Sequence, residues 1–228
     1  TWRAIQAVAE KITLISPERI REELDRIWMS PSRLAGFDLL VASGLMKAIL
    51  PEILDLQGCE QPPRWHPEGD VFVHTRLMLS LLPESASLPL VLSVLFHDIG
   101  KPATYSYNPD EDRIRFSGHD HVGAEMTAEI LKRLRYSNAV ISATVSGVAH
   151  HMQFKDVQKM RTSNLKRFMA REYFEDELEL HRVDCVGSNG ILDNYHYLLE
   201  KRREFESAPL LPPRFITGSD LIARGLAP

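Results

Sequence analysis

Six residues of metal-ligand type stand out along this chain as a set that could hold a metal ion. His97 and Asp98 are adjacent, in Leu95-Phe96-His97-Asp98-Ile99-Gly100-Lys101-Pro102. The apolar residues before them read as a core helix, which Gly100 and Pro102 bring to an end. A titratable pair at the end of a buried helix is costly unless it is partnered. A divalent ion removes that cost, because the imidazole donates a lone pair and the carboxylate binds one ion or bridges two. The other four are spread along the chain. His74 lies on a helix whose apolar face is Val71, Leu77, Met78 and Leu81. His119 stands just before a helix that Asp120 could cap, and His151 follows a helix rich in Val and Ala. Asp184 lies near Leu180 and Val183. Each helical stretch in this part of the chain thus contributes about one ligand-type residue, and a bundle can aim them into one cavity. The spacing leaves two choices open, His119 against His121 and His150 against His151.

The elements that must position these residues are mostly helical. Apolar residues at helical spacing predict helices over 2–15, 17–28, 31–43, 70–82, 88–99, 120–136, 138–152, 162–171, 175–187 and 191–206. Ser16-Pro17 and Ser30-Pro31 are start signals, and Gly44 is a stop. Pro51 interrupts the apolar run from Leu45 to Leu56. Tyr105 and Tyr107 alternate before Asn108-Pro109-Asp110, and Ile114 and Phe116 alternate after it, which predicts a short β-hairpin. Gly and Pro crowd the stretch from Gln57 to Gly69, which reads as a loop and a boundary. The expected organisation is a helical neck or body segment over 1–57, a domain over 58–208 and a tail over 209–228. The fold class is all-α with one hairpin.

Composition narrows the function classes. The 228 residues are 44% hydrophobic and 25% charged, with a net charge of −4. This is globular composition, and it excludes a strongly basic nucleic-acid binder while allowing a local patch. Such a patch stands at Lys155, Lys159, Arg161, Lys166, Arg167 and Arg171, with a smaller one at Lys132, Arg133 and Arg135. Two cysteines, Cys59 and Cys185, imply no disulfide framework and a reducing compartment. No apolar run is long enough to span a bilayer, and no secretory signal is present, so a cytoplasmic protein is expected. The chain starts at Thr1 rather than Met, which reads as a piece of something longer.

The ordered series His74, His97-Asp98, His119, His151, Asp184 resembles the HD superfamily of metal-dependent phosphohydrolases, whose pattern is H…HD…D. HDIGK (97–101) and GHDHVGAE (118–125) are similar to that family's central motifs. SPERIREEL (16–24), LPEI (50–53), HPEGDVFVHT (66–75) and ITGSDLI (216–222) resemble the C-terminal half of bacterial tRNA nucleotidyltransferases and poly(A) polymerases. No Gly-Ser followed by paired acidic residues, as that family's nucleotide-transfer head requires, is found. Truncation at both ends, or a headless relative, is the expectation.

The resemblance implies an HD-domain helical bundle in which His74, His97, Asp98 and Asp184 hold one ion and His119 and His151 a second. The four-residue spacing to Gly123 favours His119, and register from Ser137-Asn138 favours His151. His121 and His150 then read as supporting or core residues, and His181 and His196 as structural. Asp98 and Lys101 become catalytic candidates. Lys101 would bind a phosphate or the leaving oxygen, or else be a cation at a helix C-terminus. His66 would face the substrate. The implied cofactor is one or two divalent ions, with Mn, Fe, Ni, Co, Zn and Mg all compatible. The implied substrates are phosphomonoesters, 2′,3′-cyclic nucleotides or RNA ends. The competing expectation is a tRNA-binding body whose metal site is only a remnant.

Overall fold

The computed structural model describes residues 1–205 and 223–225. The 216–222 motif, and nearly all of the expected tail, lie outside the described residues. Helix α1 (Trp2–Val8) gives way to a 3-10 segment at Ala9–Leu14, where the spacing predicts one helix. Trp2, Ile5 and Val8 remain exposed, and a short helix that buries none of its residues is marginal. Helix α2 (Pro17–Trp28) starts on Pro17 and buries Leu24 and Trp28. Helix α3 (Arg33–Ser43) stops at Gly44, which takes the left-handed φ of 83° that glycine supplies at low cost. Pro51 cannot continue a helix, so the next apolar run splits into α4 (Leu45–Ile49) and α5 (Pro51–Leu54).

The 57–70 loop is closed by one carboxylate. Asp70 Oδ1 accepts from Val73 N at 2.8 Å and caps α6 (Val71–Leu81), while Oδ2 accepts from Gly58 N at 2.7 Å. Helix α7 (Leu88–Phe96), capped by Ser87, is buried at every residue from Leu90 to Phe96. A helix apolar on all sides belongs at the centre of a core, and α2 and α6 pack on it. The sequence predicts a stop at Gly100-Lys101-Pro102. The structure instead ends α7 at Phe96 and starts a short α8 (Lys101–Thr104), because Pro is well suited to the first turn of a helix.

The hairpin forms as expected: β1 (Tyr105–Asn108) pairs antiparallel with β2 (Arg113–Phe116), Tyr105 facing Phe116 and Tyr107 facing Ile114. Helix α9 (His119–Arg133) begins on His119 itself, after Gly118. Asp120 therefore lies within the first turn and caps nothing. Helix α10 (Asn138–His150) packs on α7 and α9 and runs into a 3-10 segment at His151–Lys159. Helices α11 (Thr162–Met169), α12 (Phe174–Gly187) and α13 (Asp193–Phe205) complete the described chain. Among the described residues, the all-α architecture with a single hairpin agrees with the sequence reading.

One hydrophobic core runs from Leu24 to Val183, so the N-terminal helices and the bundle share it. Polar ties reinforce the junction. Arg133 forks onto Glu52 at 2.6 and 3.0 Å, Arg76 forks onto Asp38 at 2.7 and 2.6 Å, and Tyr136 Oη donates to Asp25 at 2.6 Å. A smaller cluster around Phe154, Phe168, Phe174 and Leu198 joins the second 3-10 segment to α11, α12 and α13.

The turn that leads into α8 meets the start of α9 at Gly100. A Cβ there would collide with the backbone carbonyl of His119 and lie 2.7 Å from Gly123 N. Backbone cannot yield as a flexible side chain can. Gly100→Ala is expected to cost about 1–3 kcal/mol of stability, read as a lower urea midpoint. An unchanged midpoint would show that this contact does not constrain the fold.

Candidate metal centre

Five elements converge on one cluster. His74 projects from mid-α6, His97 and Asp98 follow the last turn of α7, His119 opens α9, His151 follows α10, and Asp184 lies in α12. Ligand-capable atoms of His74, His97 and Asp184 all lie within 4.8 Å of one another, as do those of Asp98, His119 and His151. All six residues proposed from sequence are brought together. Asp98 joins the two halves: Oδ2 is 3.1 Å from His97 Nε2, and Oδ1 is 3.4 Å from His119 Nε2 and 3.8 Å from His151 Nε2.

The three histidines around Asp98 share one device. Nδ1 of His97, His119 and His151 contacts the carbonyl three residues earlier, of Val94, Phe116 and Val148, at 2.9, 2.8 and 2.7 Å. A carbonyl only accepts, so Nδ1 carries a proton, and in the neutral ring Nε2 keeps a bare lone pair. His97 Nε2 is buried with no hydrogen-bond partner. The Nε2 atoms of His119 and His151 face each other at 3.1 Å, where two lone pairs repel unless a proton or cation separates them. A divalent cation fits this donor set of imidazole nitrogens and carboxylates.

Burial alone would raise the Asp98 pKa, but His97 and Lys101 reverse this and hold it well below the ordinary carboxylate range. Burial pushes His151 down to about 4, so its ring is neutral at pH 7. His74 goes the other way. Burial disfavours its charge, yet Asp184 and Glu68 raise it to about 9. Its Nδ1 is 2.7 Å from Glu68 Oε1 and its Nε2 3.1 Å from Asp184 Oδ1, in ion-pair contact without hydrogen-bond alignment. His74 in turn draws Asp184 well below the usual carboxylate range against the effect of burial.

Lys101 is not a cation at a helix C-terminus. It opens α8 and is buried, with Nζ 2.7 Å from Asp98 Oδ2 and donating to Gln61 Oε1 at 2.5 Å. His66 lines the same cavity, its Nδ1 2.9 Å from Glu68 Oε1. Glu68 therefore touches both His66 and His74. Sequence reasoning missed its part, although it stands inside the HPEG segment. Gln61 was missed as well, and a glutamine in a Gly/Pro-rich loop carries no distinguishing signal.

The remaining histidines lie elsewhere. His121 is exposed beside Glu125 rather than supporting the site. His150 turns to Glu177 and Ser146. His181 is buried and stacks on Phe154, and His196 is exposed. Of the two basic patches, much is consumed internally: Arg133 by Glu52, Lys132 by Glu129, Lys159 by Asp156 and Arg171 by Glu177.

A helical bundle that gathers His and Asp from five helices around a buried His-Asp pair defines an HD domain, and the chain belongs to the HD-domain family, which matches residues 71–184. Residues 1–56 match a second family, described as a probable RNA and SrmB-binding site of polymerase A. The chain is 34% identical over 226 residues to an A-adding tRNA nucleotidyltransferase of Deinococcus radiodurans, covering 92% of this chain and 50% of that protein. It is 32% identical over 228 residues to a CC-adding tRNA nucleotidyltransferase of Thermus thermophilus, covering 97% and 50%. A multifunctional CCA protein of Methylobacillus flagellatus is 30% identical over 190 residues, covering 79% and 45%. The chain spans about half the length of the curated relatives it matches. Among the described residues, no helix is long and apolar enough to cross a membrane.

The charge state of His74 sets a proton count. Without metal its ring stays protonated up to about pH 9, so an ion taking Nε2 must displace that proton. Binding of Mn²⁺ at pH 8 is expected to release about one proton, and affinity should rise roughly tenfold per pH unit as pH approaches 9. Calorimetry in two buffers of different ionisation heat measures the release. A value near zero would contradict the assignment of His74.

Proposed function

We propose that the chain is a metal-dependent phosphohydrolase acting on phosphomonoesters, 2′,3′-cyclic nucleotides or RNA ends. The observation that carries this reading is the meeting of two ligand sets at one buried, charged carboxylate, Asp98. His74, His97, Asp98 and Asp184 would hold one divalent ion, and Asp98, His119 and His151 a second. Bound there, the ions would supply Lewis acidity, lowering the pKa of water and neutralising phosphate oxygens.

The chain's own residues supply orientation and charge. The three Nδ1–carbonyl bonds fix the imidazole planes. Asp98 and Gln61 hold Lys101 Nζ in the cavity wall, and its remaining N–H can donate to a phosphate oxygen or the leaving oxygen. His66, whose pKa is lowered mainly by burial, is uncharged at neutral pH and can receive a hydrogen bond from substrate. In the reaction, water oxygen forms a new P–O bond, the ester P–O bond breaks, and a proton passes to the leaving oxygen. A cyclic phosphate opens to a monoester, and a monoester yields phosphate. A cytoplasmic location suits this reading.

A second reading is RNA binding, favoured by the match of residues 1–56 and by the tRNA-acting relatives. tRNA would dock on the N-terminal helices and on cations that have no ion-pair partner among the described residues, such as Arg161 and Arg167. The two readings are compatible.

Hydrolysis of 2′,3′-cyclic AMP and glycerol phosphate is expected with Mn²⁺, Ni²⁺ or Mg²⁺ and should vanish with chelator. Asp98→Asn should lower the rate by about 100-fold or more. No hydrolysis with any of the three ions, or full activity in Asp98→Asn, would overturn the enzymatic reading. For the second, tRNA affinity should fall linearly with salt on a log–log plot, and a titration showing no salt-dependent binding would end it.

A further inference from the structure

Three cavities open beside one another around the His/Asp cluster, and Trp65 and Arg113 line all three. The central cavity, of about 520 Å³, reaches Asp98, His119, His151 and Asp184. One neighbour runs past Tyr105 and Tyr107 of the hairpin. The other runs past Lys155, Gln158, Asn189 and Asn194. A single nucleotide would fill only the central one. The groove that joins them is longer than a mononucleotide needs.

Its lining has a consistent chemistry. Trp65 is 47% exposed on the 57–70 loop, with the Arg64 guanidinium 5.2 Å from its ring centroid. Tyr105 and Tyr107 are also exposed. Among the described residues, Arg64, Arg113 and Lys155 have no ion-pair partner, while most other cations near the site are paired. Open aromatic rings interleaved with unpaired cations suit single-stranded nucleic acid, whose bases stack and whose phosphates need countercharge. Duplex would bury its base faces and leave the rings unused.

A second observation points into the cavity. Gln61 is 5% exposed and lines it. Lys101 Nζ can only donate, so Gln61 must turn Oε1 toward it. That leaves Nε2 buried with no partner. An unsatisfied buried donor is costly, and a ligand oxygen at this point would satisfy it.

We propose that this groove binds single-stranded RNA, with the terminal nucleotide at the His/Asp cluster. Gln61 Nε2 donates to an oxygen of that nucleotide, Trp65 stacks on a neighbouring base, and Arg113 holds an adjacent phosphate. The substrate class of the proposed hydrolase would then be an oligonucleotide end rather than a free nucleotide. Only that last step rests on the phosphohydrolase reading.

The test is a binding measurement without turnover, on the full chain with Mn²⁺. The probe is fluorescein-labelled hexa-adenylate with a 3′-hydroxyl, which offers no terminal phosphate to cleave. Unlabelled hexamer should compete at least tenfold better than the dinucleotide ApA. Trp65→Leu should weaken hexamer binding about tenfold and Trp65→Phe should restore most of it. Arg113→Gln should weaken binding and reduce the slope of the salt dependence by about one. Circular dichroism confirms that each variant is folded. Equal competition by ApA and hexamer, or unchanged affinity in Trp65→Leu, would overturn the proposal even if hydrolysis of small substrates is intact. Absence of all hydrolysis, with hexamer binding and its Trp65 dependence preserved, would remove only the enzymatic reading.

Discussion

A carboxylate that is buried yet still charged governs the centre of this molecule. Asp98 is 3% exposed. Removing a carboxylate from water costs several kcal/mol unless cations and donors replace the lost hydration. Lys101 supplies a fixed charge at 2.7 Å, and three imidazoles stand around the remaining lone pairs. Of these partners only His97 adjoins Asp98 in sequence. The ends of α7 and α10 and the starts of α8 and α9 must therefore arrive at one point. Gly100 and Gly123 permit it, because side chains at that crossing would hold the start of α8 and α9 apart.

The same demand accounts for how charge is used elsewhere. The chain is slightly acidic overall, and many of its basic residues are committed to architecture. Arg133, Arg76 and Arg21 reach across the junction between the N-terminal helices and the bundle. Arg171 neutralises Glu177, a carboxylate inside the bundle that also accepts from Ser146. The 57–70 loop, by contrast, turns three polar side chains inward. Gln61, His66 and Glu68 all reach the cluster, and the loop is held in place by Asp70 at its exit.

Much of this was legible in the sequence, for physical reasons that differ by element. The apolar run before His97 could only be a core helix, so the pair had to be buried. The Ser16-Pro17 start, Gly44 and the Tyr/Ile/Phe alternation report local backbone preferences and were readable locally, whereas Ser30-Pro31 forms a turn and α3 starts two residues later, at Arg33. The segments at Ala9–Leu14 and His151–Lys159 were not. An α-helix and a 3-10 helix share nearly the same apolar spacing, and packing decides between them. The restart at Lys101 was hidden for a related reason: proline ends one helix as readily as it opens the next. Glu68 and Gln61 reach the cluster through partners 6 and 40 residues away, a relation that no local pattern encodes. His121 and His150 show the converse. Each is adjacent or nearly so to a residue of the cluster, and rotation about a helix axis is all that excludes it.

That rotation has a consequence for how the molecule can change. Val94 and Val148 lie in the final turns of α7 and α10, where carbonyls lack an intrahelical donor. His97 and His151 fill two of those vacancies with their own N–H groups. The helix end and the histidine thus complete each other, in a single indexed unit. Inserting or deleting one residue ahead of either histidine would turn it by about 100°, stranding a carbonyl and misdirecting a lone pair at once. A change of length is compatible with this geometry only outside the two helices, which must keep their count.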